Sequence, residues 1–495
     1  METEANKGKK ISRITGYVIC GITLIIALIT FFFLLKLAAV PNRYLVEYSV
    51  ACLFIIGVFS VVQKWFIPGI IAKILSVVMS VLLICACYYM NYTYNRMQDI
   101  SGIETQIDSI HVYVMSDNAA QSITDAENYT FGILSTLDRE NTDKTIDDIN
   151  SELSKNIETV EYNSVYDLVE ALYGDKVEAI ILNAAYISFV EESDEYKTFE
   201  EDVRTINLKE IENAVDMDKD INDEYLYNGD DVFTVYISGV DTRSAANVNS
   251  NSDVNILLTV NMNTRQILMI STPRDYYVPL SISNGVKDKL THAGGYGIDV
   301  SVDTLEMLYG VNIDDYVRIN FTGFQKIIDV LGGVNVYSEY DFKAEHYSYH
   351  KGYNELNGGE ALEFARTRYA FIDGDRQRGK NQMAVIKAVI NEMATSDALF
   401  NYTDILDAIS DSMITSMSYN EISELVKFQL NDMRGWDVVT YSVNGFDSSN
   451  TTYSGGSQML YVMIPDESTV EQAKQYLEDI YDNKEVSIMN GETNE

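Results

Sequence analysis

Three apolar stretches fill the first ninety residues, about Ile14 to Val40, Tyr44 to Val62 and Phe66 to Met90. Each is long enough to cross roughly 30 Å of hydrocarbon as a helix, so residues 14–90 read as three transmembrane helices. Anything else in the chain must fold beside a membrane anchor. A cleaved signal peptide carries an apolar run of about 7 to 15 residues; the first stretch is longer and two more follow, so it is expected to stay. Lys7, Lys9, Lys10 and Arg13 precede the first span, and Lys64 and Lys73 flank the loop between the second and third. Basic residues favour the cytoplasmic side, which places residues 1–13 inside. An odd number of spans then puts the chain from Asn91 onward outside, giving a multi-pass protein of the cell membrane. Lys36 and Glu47 lie near span ends, where long side chains snorkel to the interface.

Charge separates the two parts. Residues 1–90 hold eight Lys/Arg and three Asp/Glu, so the net −38 of the chain leaves −43 for residues 91–495. Nucleic acid is not an expected partner, because phosphate binding needs a broad basic surface. All four cysteines (Cys20, Cys52, Cys85, Cys87) fall within the spans. The exterior therefore has neither a disulfide nor a cysteine-based zinc site to rely on. Its size allows two self-supporting cores.

Periodicity divides that exterior. Residues 91–102 read as a polar stalk. From Ile103, runs such as His111–Met115 and Phe131–Leu134 alternate with helical patterns over Ile146–Ile157 and Val165–Tyr173, followed by a buried strand over Val177–Leu182. This predicts a small α/β accessory domain over residues 103–215. The charged, apolar-poor stretch Glu191–Asp223 reads as a helix plus linker. A second domain is expected over residues 230–490. Strands at Val232–Ile237, Ile256–Val260, Ile267–Ile270, Tyr316–Ile319 and Val334–Tyr337 alternate with helices at Val300–Leu308, Phe324–Leu331, Glu360–Thr367 and Met383–Met393. That pattern implies a layered α-β-α domain on a central mixed sheet, with ligands collecting at strand ends. Helices at Asp404–Ile409 and Ile422–Leu430, and strands at Trp436–Val443 and Gln458–Ile464, are expected to complete the same core.

Against the acidic background, twelve arginines lie beyond Asn91, and six of them (Arg243, Arg274, Arg366, Arg368, Arg376 and Arg378) sit in three short segments. The planar guanidinium fork binds phosphate or carboxylate bidentately. An isolated arginine is most simply a surface ion pair; Arg366-Thr-Arg368 beside Arg376 and Arg378 points to an anion site. Moving a phosphoryl group from a pyrophosphate requires positioning and charge neutralisation more than covalent chemistry. Arg274, Arg366 and Arg368 would clamp phosphate oxygens. Asp241 and Asp253 suit Mg²⁺, which is commonly held by one or two carboxylates together with substrate phosphates. Spacing alone leaves catalysis and binding equally open.

At these residues the sequence resembles the LytR-CpsA-Psr family of cell-envelope proteins. The resemblance runs from about Val232 to Met393, through Ser238-Gly-Val-Asp-Thr-Arg243, Asn251-Ser-Asp253, Ser271-Thr-Pro-Arg-Asp275, Lys289-Leu-Thr-His-Ala293, Ala365-Arg-Thr-Arg368 and Arg378-Gly-Lys-Asn-Gln382. The order of membrane anchor, accessory domain and catalytic domain is similar to the three-span, capsule-type branch. The resemblance implies a phosphotransferase that moves an anionic glycopolymer, capsular or teichoic-acid-like, from a polyprenyl-pyrophosphate carrier to peptidoglycan with magnesium assisting. It assigns Asp241 and Asp253 to the metal, and Arg274, Arg366, Arg368, Arg378 and Gln382 to the pyrophosphate, with Arg243 and Lys289 at the rim. Arg274 and Asp275 would be the catalytic pair, Asp275 either orienting Arg274 or accepting the attacking hydroxyl's proton. The family usually has Arg where this chain has Asn251, so one phosphate contact becomes an uncharged hydrogen-bonding group; Arg376 is placed to compensate. Two other functions fit the same motifs: a pyrophosphatase acting on the lipid carrier, and a lipid-sensing membrane regulator. About thirteen residues before the first span are too few for a folded DNA reader.

Overall fold

The computed structural model describes residues 2–103, 105–215, 231–240, 246–371, 374–395, 402–409 and 412–488. Contacts divide the chain into two units. One comprises Met1–Gly102, Ala394–Asp407 and Met417–Arg434; the other holds Ile103–Met393, Ala408–Ser416 and Gly435–Glu495.

The first unit is built on helices α1 (Glu2–Leu37), α2 (Asn42–Val62) and α3 (Phe66–Ile100). All three are long and apolar enough to cross a membrane. Small and hydroxylated side chains let α1 and α3 approach closely, as in membrane bundles: Ala27 and Ala72 are buried, and the Thr23 and Ser80 hydroxyls are 2.9 Å apart. Large apolar side chains such as Leu28, Phe32, Phe54 and Leu82 face outward, where lipid would cover them. The expected stalk over residues 91–102 is instead mostly the last turns of α3, because nothing before Ser101-Gly102 breaks the helix. The helices observed at Tyr402–Ile409 and Tyr419–Asp432 also depart from expectation. Tyr419–Asp432 belongs to this unit and adds no layer to the α/β core: Tyr419 donates to the Leu37 carbonyl (2.7 Å) and Arg43 to the Leu430 carbonyl (2.9 Å). The only side chain it buries fully is Ser423.

The second unit begins with the accessory module. Its strands are β1 (Thr105–Met115), β2 (Thr130–Leu134), β3 (Glu158–Tyr162), β4 (Ala179–Asn183) and β5 (Val203–Ala214), in the order β3-β2-β4-β1-β5. Helices α4 (Arg139–Leu153) and α5 (Val165–Tyr173) cover it. Ser164 caps α5 by accepting from the Asp167 amide, and α5 buries Leu168, Val169 and Leu172. The stretch read as helix plus linker contains β5, a twelve-residue edge strand antiparallel to β1. Its charged residues (Arg204, Lys209, Glu210, Glu212) are what an exposed edge uses to stay soluble. Composition suggested a linker; pairing with β1 made it a strand.

The larger core is a mixed sheet of β6 (Val232–Val240), β7 (Val254–Asn261), β8 (Gln266–Ser271), β9 (Asp315–Asn320), β10 (Met413–Thr415) and β11 (Asp437–Ser442). Their order is β10-β9-β6-β7-β8-β11. β7 runs antiparallel to β6 and β8, while β9 and β11 are parallel to β6 and β8. The helices are α6 (Leu290–Tyr296), α7 (Ile298–Tyr309), α8 (Phe321–Val330), α9 (Gly358–Arg366), α10 (Gly374–Met393) and α11 (Glu467–Tyr481). On one face Tyr236, Leu257 and Leu268 pack with Leu305 of α7 and Leu477 of α11. On the other Ile256, Met269 and Val438 meet Met383 and Ile386 of α10. Helices on both faces give the α-β-α layering. Because β7 runs against its neighbours, its start lies at the same sheet edge as the ends of β6, β8 and β11.

Candidate functional site

That shared edge brings the motifs together. Asp253 precedes β7, and its amide donates to the Gly239 carbonyl at 2.9 Å, pinning it beside the end of β6. Pro273-Arg274-Asp275 follows β8. The backbone there is tied to the next motif, since the Thr291 amide donates to the Arg274 carbonyl at 2.8 Å and the Leu290 amide to the Tyr276 carbonyl at 2.9 Å. From the other side α10 approaches β8 closely: a methyl at Gly379 would lie 2.7 Å from the Ser271 hydroxyl. Asp253, Arg274, Arg378 and Gln382 consequently line one recess, with Ser271, Thr272 and Ser442.

The side chains at the edge form a line of alternating charges. Arg274 Nη1 donates to Asp253 Oδ1 at 2.9 Å, and Arg274 Nε lies 3.5 Å from Asp275 Oδ2. Lys289 Nζ is 3.2 Å from Asp275 Oδ1 and 2.8 Å from Glu192 Oε2. Both oxygens of Asp275 thus face cations, the arrangement of an orienting residue. His292 lies 3.5 Å from Glu192 through Nε2 and 2.7 Å from Asp288 through Nδ1. Burial alone would push His292 down, but the Asp288 and Glu192 carboxylates outweigh it and raise it to about 9. Burial alone would raise Glu192, but His292 and then Lys289 hold it down to about 2. His292 and Glu192 therefore face each other as a charged pair at neutral pH.

Beyond Arg274 a cleft of about 800 Å³ opens, lined by Glu192, Asp275, Lys289, Arg368 and Tyr461 among others. Arg368 donates to the Tyr369 hydroxyl at 2.6 Å and lies over its ring. Arg366, exposed at the end of α9, stands 4.4 Å over the Phe321 ring; among the described residues it lines neither this cleft nor the recess. Arg376 lines the recess and donates to the Gly445 carbonyl. Asp241 and Arg243 lie outside the described residues.

For a divalent cation the described donors suffice only in part. Among the described residues there is no group of three His, Cys, Asp or Glu side chains arranged to hold a metal. Asp253 offers a carboxylate in a recess lined by arginines, which suits Mg²⁺ held by one or two carboxylates and phosphate oxygens rather than by a protein cage. Two groups that support the site, Glu192 and Arg318, lie outside the sequence motifs. Glu192 sits in an acidic run far upstream of the motifs. Arg318, in central strand β9, is fully buried and donates to the Ser250 carbonyl at 2.9 Å, ordering the loop ahead of Asn251. An arginine in the middle of a strand was the one available hint.

Residues 186–476 match the LytR_cpsA_psr family, a match that begins within the accessory module. The polyisoprenyl-teichoic acid–peptidoglycan teichoic acid transferase TagU of Bacillus cereus is 34% identical over 223 residues, covering 44% of this chain and 72% of the relative. TagU of Bacillus subtilis is 32% identical over 216 residues, with 43% and 70% covered. The crystal structure of B. subtilis TagU aligns over 52% of this chain and 100% of that one, at 28% identity and a TM-score of 0.40.

Proposed function

The chain belongs to the LytR_cpsA_psr family, and from that membership we propose that it is a membrane-anchored glycopolymer–peptidoglycan transferase working at the β6–β7–β8 edge. The donor is a glycopolymer, teichoic-acid-like or capsular, carried on polyprenyl pyrophosphate, and the acceptor is a hydroxyl of peptidoglycan. The hydroxyl oxygen attacks the phosphorus next to the glycan. A phosphodiester forms, the pyrophosphate P–O bond breaks, and polyprenyl phosphate leaves. One observation carries the reading: Arg274, braced between Asp253 and Asp275, faces a recess that Arg378 and Gln382 also line. Preorganised cations aimed at developing phosphate charge supply most of the catalysis in such a transfer.

Arg274, Arg378 and Gln382 bind the pyrophosphate and Arg368 adds charge from across the cleft, while Arg366 and Arg243 are assigned to the same anion by the family motifs alone. Asp275 orients Arg274 and Lys289. Asp253, with Asp241, would hold Mg²⁺ against the phosphates, where the ion would supply further charge neutralisation. The three apolar helices anchor the chain in the membrane, with the α/β unit outside the cell.

Full-length protein in detergent, given Mg²⁺, a lipid-pyrophosphate-linked saccharide and peptidoglycan fragments, is expected to form a saccharide–peptidoglycan phosphodiester. Arg274→Ala should reduce this by about 1,000-fold without unfolding the protein. Release of saccharide phosphate at the same rate with and without acceptor would make the enzyme a pyrophosphatase instead. Saturable lipid binding with no turnover would make it a sensor.

A further inference from the structure

The accessory module is not merely tethered to the catalytic core. Its strand β1 exchanges backbone hydrogen bonds with the segment leading to Asp253: Ile107 donates to the Asn247 carbonyl (2.8 Å) and accepts from the Asn249 amide (3.0 Å). The Asn249 side chain donates to buried Asp108 of β1 at 2.9 Å. Farther along, Phe189 packs its ring 4.2 Å from that of His292. Gly295 permits this approach, since a methyl there would fall 2.6 Å from the Phe189 ring. The docking carries the next turn of chain, Glu191–Glu195, to the cleft. Gln458 donates to the Ser193 hydroxyl at 3.3 Å, and Glu192 points at Lys289 and His292.

Lys289 is 5% exposed and has two carboxylates within ion-pairing distance, Asp275 and Glu192. An ammonium held by Asp275 alone would be free to swing about that single contact, and Asp275 with it. A second anchor on the opposite side removes that freedom, and fixed Asp275 in turn fixes the Arg274 guanidinium. We propose that Glu192 of the accessory module is a positioning residue of the transfer site, holding Lys289 against Asp275 so that Arg274 is set for the pyrophosphate. The module is then part of the active site and not a spacer. This rests on the transferase reading for its kinetic arm, and its second arm is independent of turnover.

In full-length protein, Glu192→Gln keeps shape and removes charge. It should lower kcat on the order of 30-fold while KM for the lipid donor stays within about threefold. Glu192→Asp, which restores charge with shorter reach, should recover part of the rate. Lys289→Met should cost a similar factor, and the double variant should be no slower than the slower single one, because both act through one contact. The second arm reads Lys289 directly by amine acylation and mass spectrometry, with exposed Lys287 as internal reference. Glu192→Gln should raise Lys289 labelling several-fold. Unchanged labelling overturns the proposal whether or not transfer is seen. With transfer established, an unaltered kcat, additive losses in the double variant, or a loss that only tracks unfolded protein would overturn it as well. Absence of transfer by the unmodified protein, with Lys289 labelling raised as expected, would sink the transferase reading and leave the positioning role standing.

Discussion

The two sides of the cleft hold their arginines differently. Arg274 is clasped by Asp253 and Asp275 in a line of ion pairs that continues through Lys289 to Glu192. Arg368 stands over the ring of Tyr369. Carboxylates at bonding distance fix a guanidinium at the cost of neutralising part of its charge, whereas an aromatic face supports it and leaves the charge available. The first arrangement suits a group that must meet the reacting phosphorus in one geometry. The second suits capture of a polyanionic donor.

The comparison predicts unequal losses. Arg274→Ala should reduce kcat/KM by about 1,000-fold, roughly 4 kcal/mol, chiefly in kcat. Asp253→Ala should come close to it. Arg368→Ala should cost about 10- to 50-fold and act mainly on KM for the lipid donor, the mark of uniform binding. An equal kcat loss from Arg368→Ala and Arg274→Ala would break the distinction between the two sides.

A smaller effect concerns stability. His292 is raised to about 9 from an ordinary 6.5, so its contribution is complete below about 6.5 and is lost as pH rises through 9. Glu192, depressed to about 2, contributes fully above about 4.5 and loses its contribution only as pH falls through 2. The groups facing this pair are Asp288, Lys289, Ser454 and the ring of Phe189. The melting temperature should therefore fall by roughly 3–5 °C between pH 6.5 and 9. His292→Asn should flatten that slope; an equal slope in the variant would show that other groups carry it.

The smallest expected effect tests a buried acid whose burial outweighs the amides and the lysine near it. Burial, then the nearby Asp108 carboxylate, raise Asp138 of the accessory module to about 7. A raised acid binds its proton more tightly when folded, so stability is lost as pH climbs from about 4 through 7. Asp138→Asn should raise the melting temperature by about 1–2 °C at pH 7.5 and leave it unchanged at pH 4. A gain at pH 4 equal to that at pH 7.5 would exclude titration of this group as the cause.

How legible these features were depended on their range. Val165–Tyr173 reads as a helix and is one, because its apolar spacing and Ser164 cap are local. Strands β6, β7 and β8 stand where alternation and β-branched residues put them, within three residues at every end. β5 differs from the linker its composition suggests, because an edge strand buries little and its charges imitate a linker. Arg274, Asp253, Arg378 and Gln382 converge as the motif order implied, whereas Arg366 lies over Phe321 and Lys289 is buried in the ion-pair line, not at a rim. Glu192 was invisible, since nothing local marks an acid whose partner lies about a hundred residues away.

Hydropathy, arginine spacing and motif order, all present in the chain as written, marked out the three apolar helices, the layered α/β core and the residues that meet at the recess, because each is carried by short segments of sequence. Only the tertiary structure decided that the accessory module lends Glu192 to the cleft and that Asp275 is bound on both oxygens. Those outcomes depend on a strand pairing and on one close ring contact between segments distant in the chain. Local propensity does not encode such meetings; packing does.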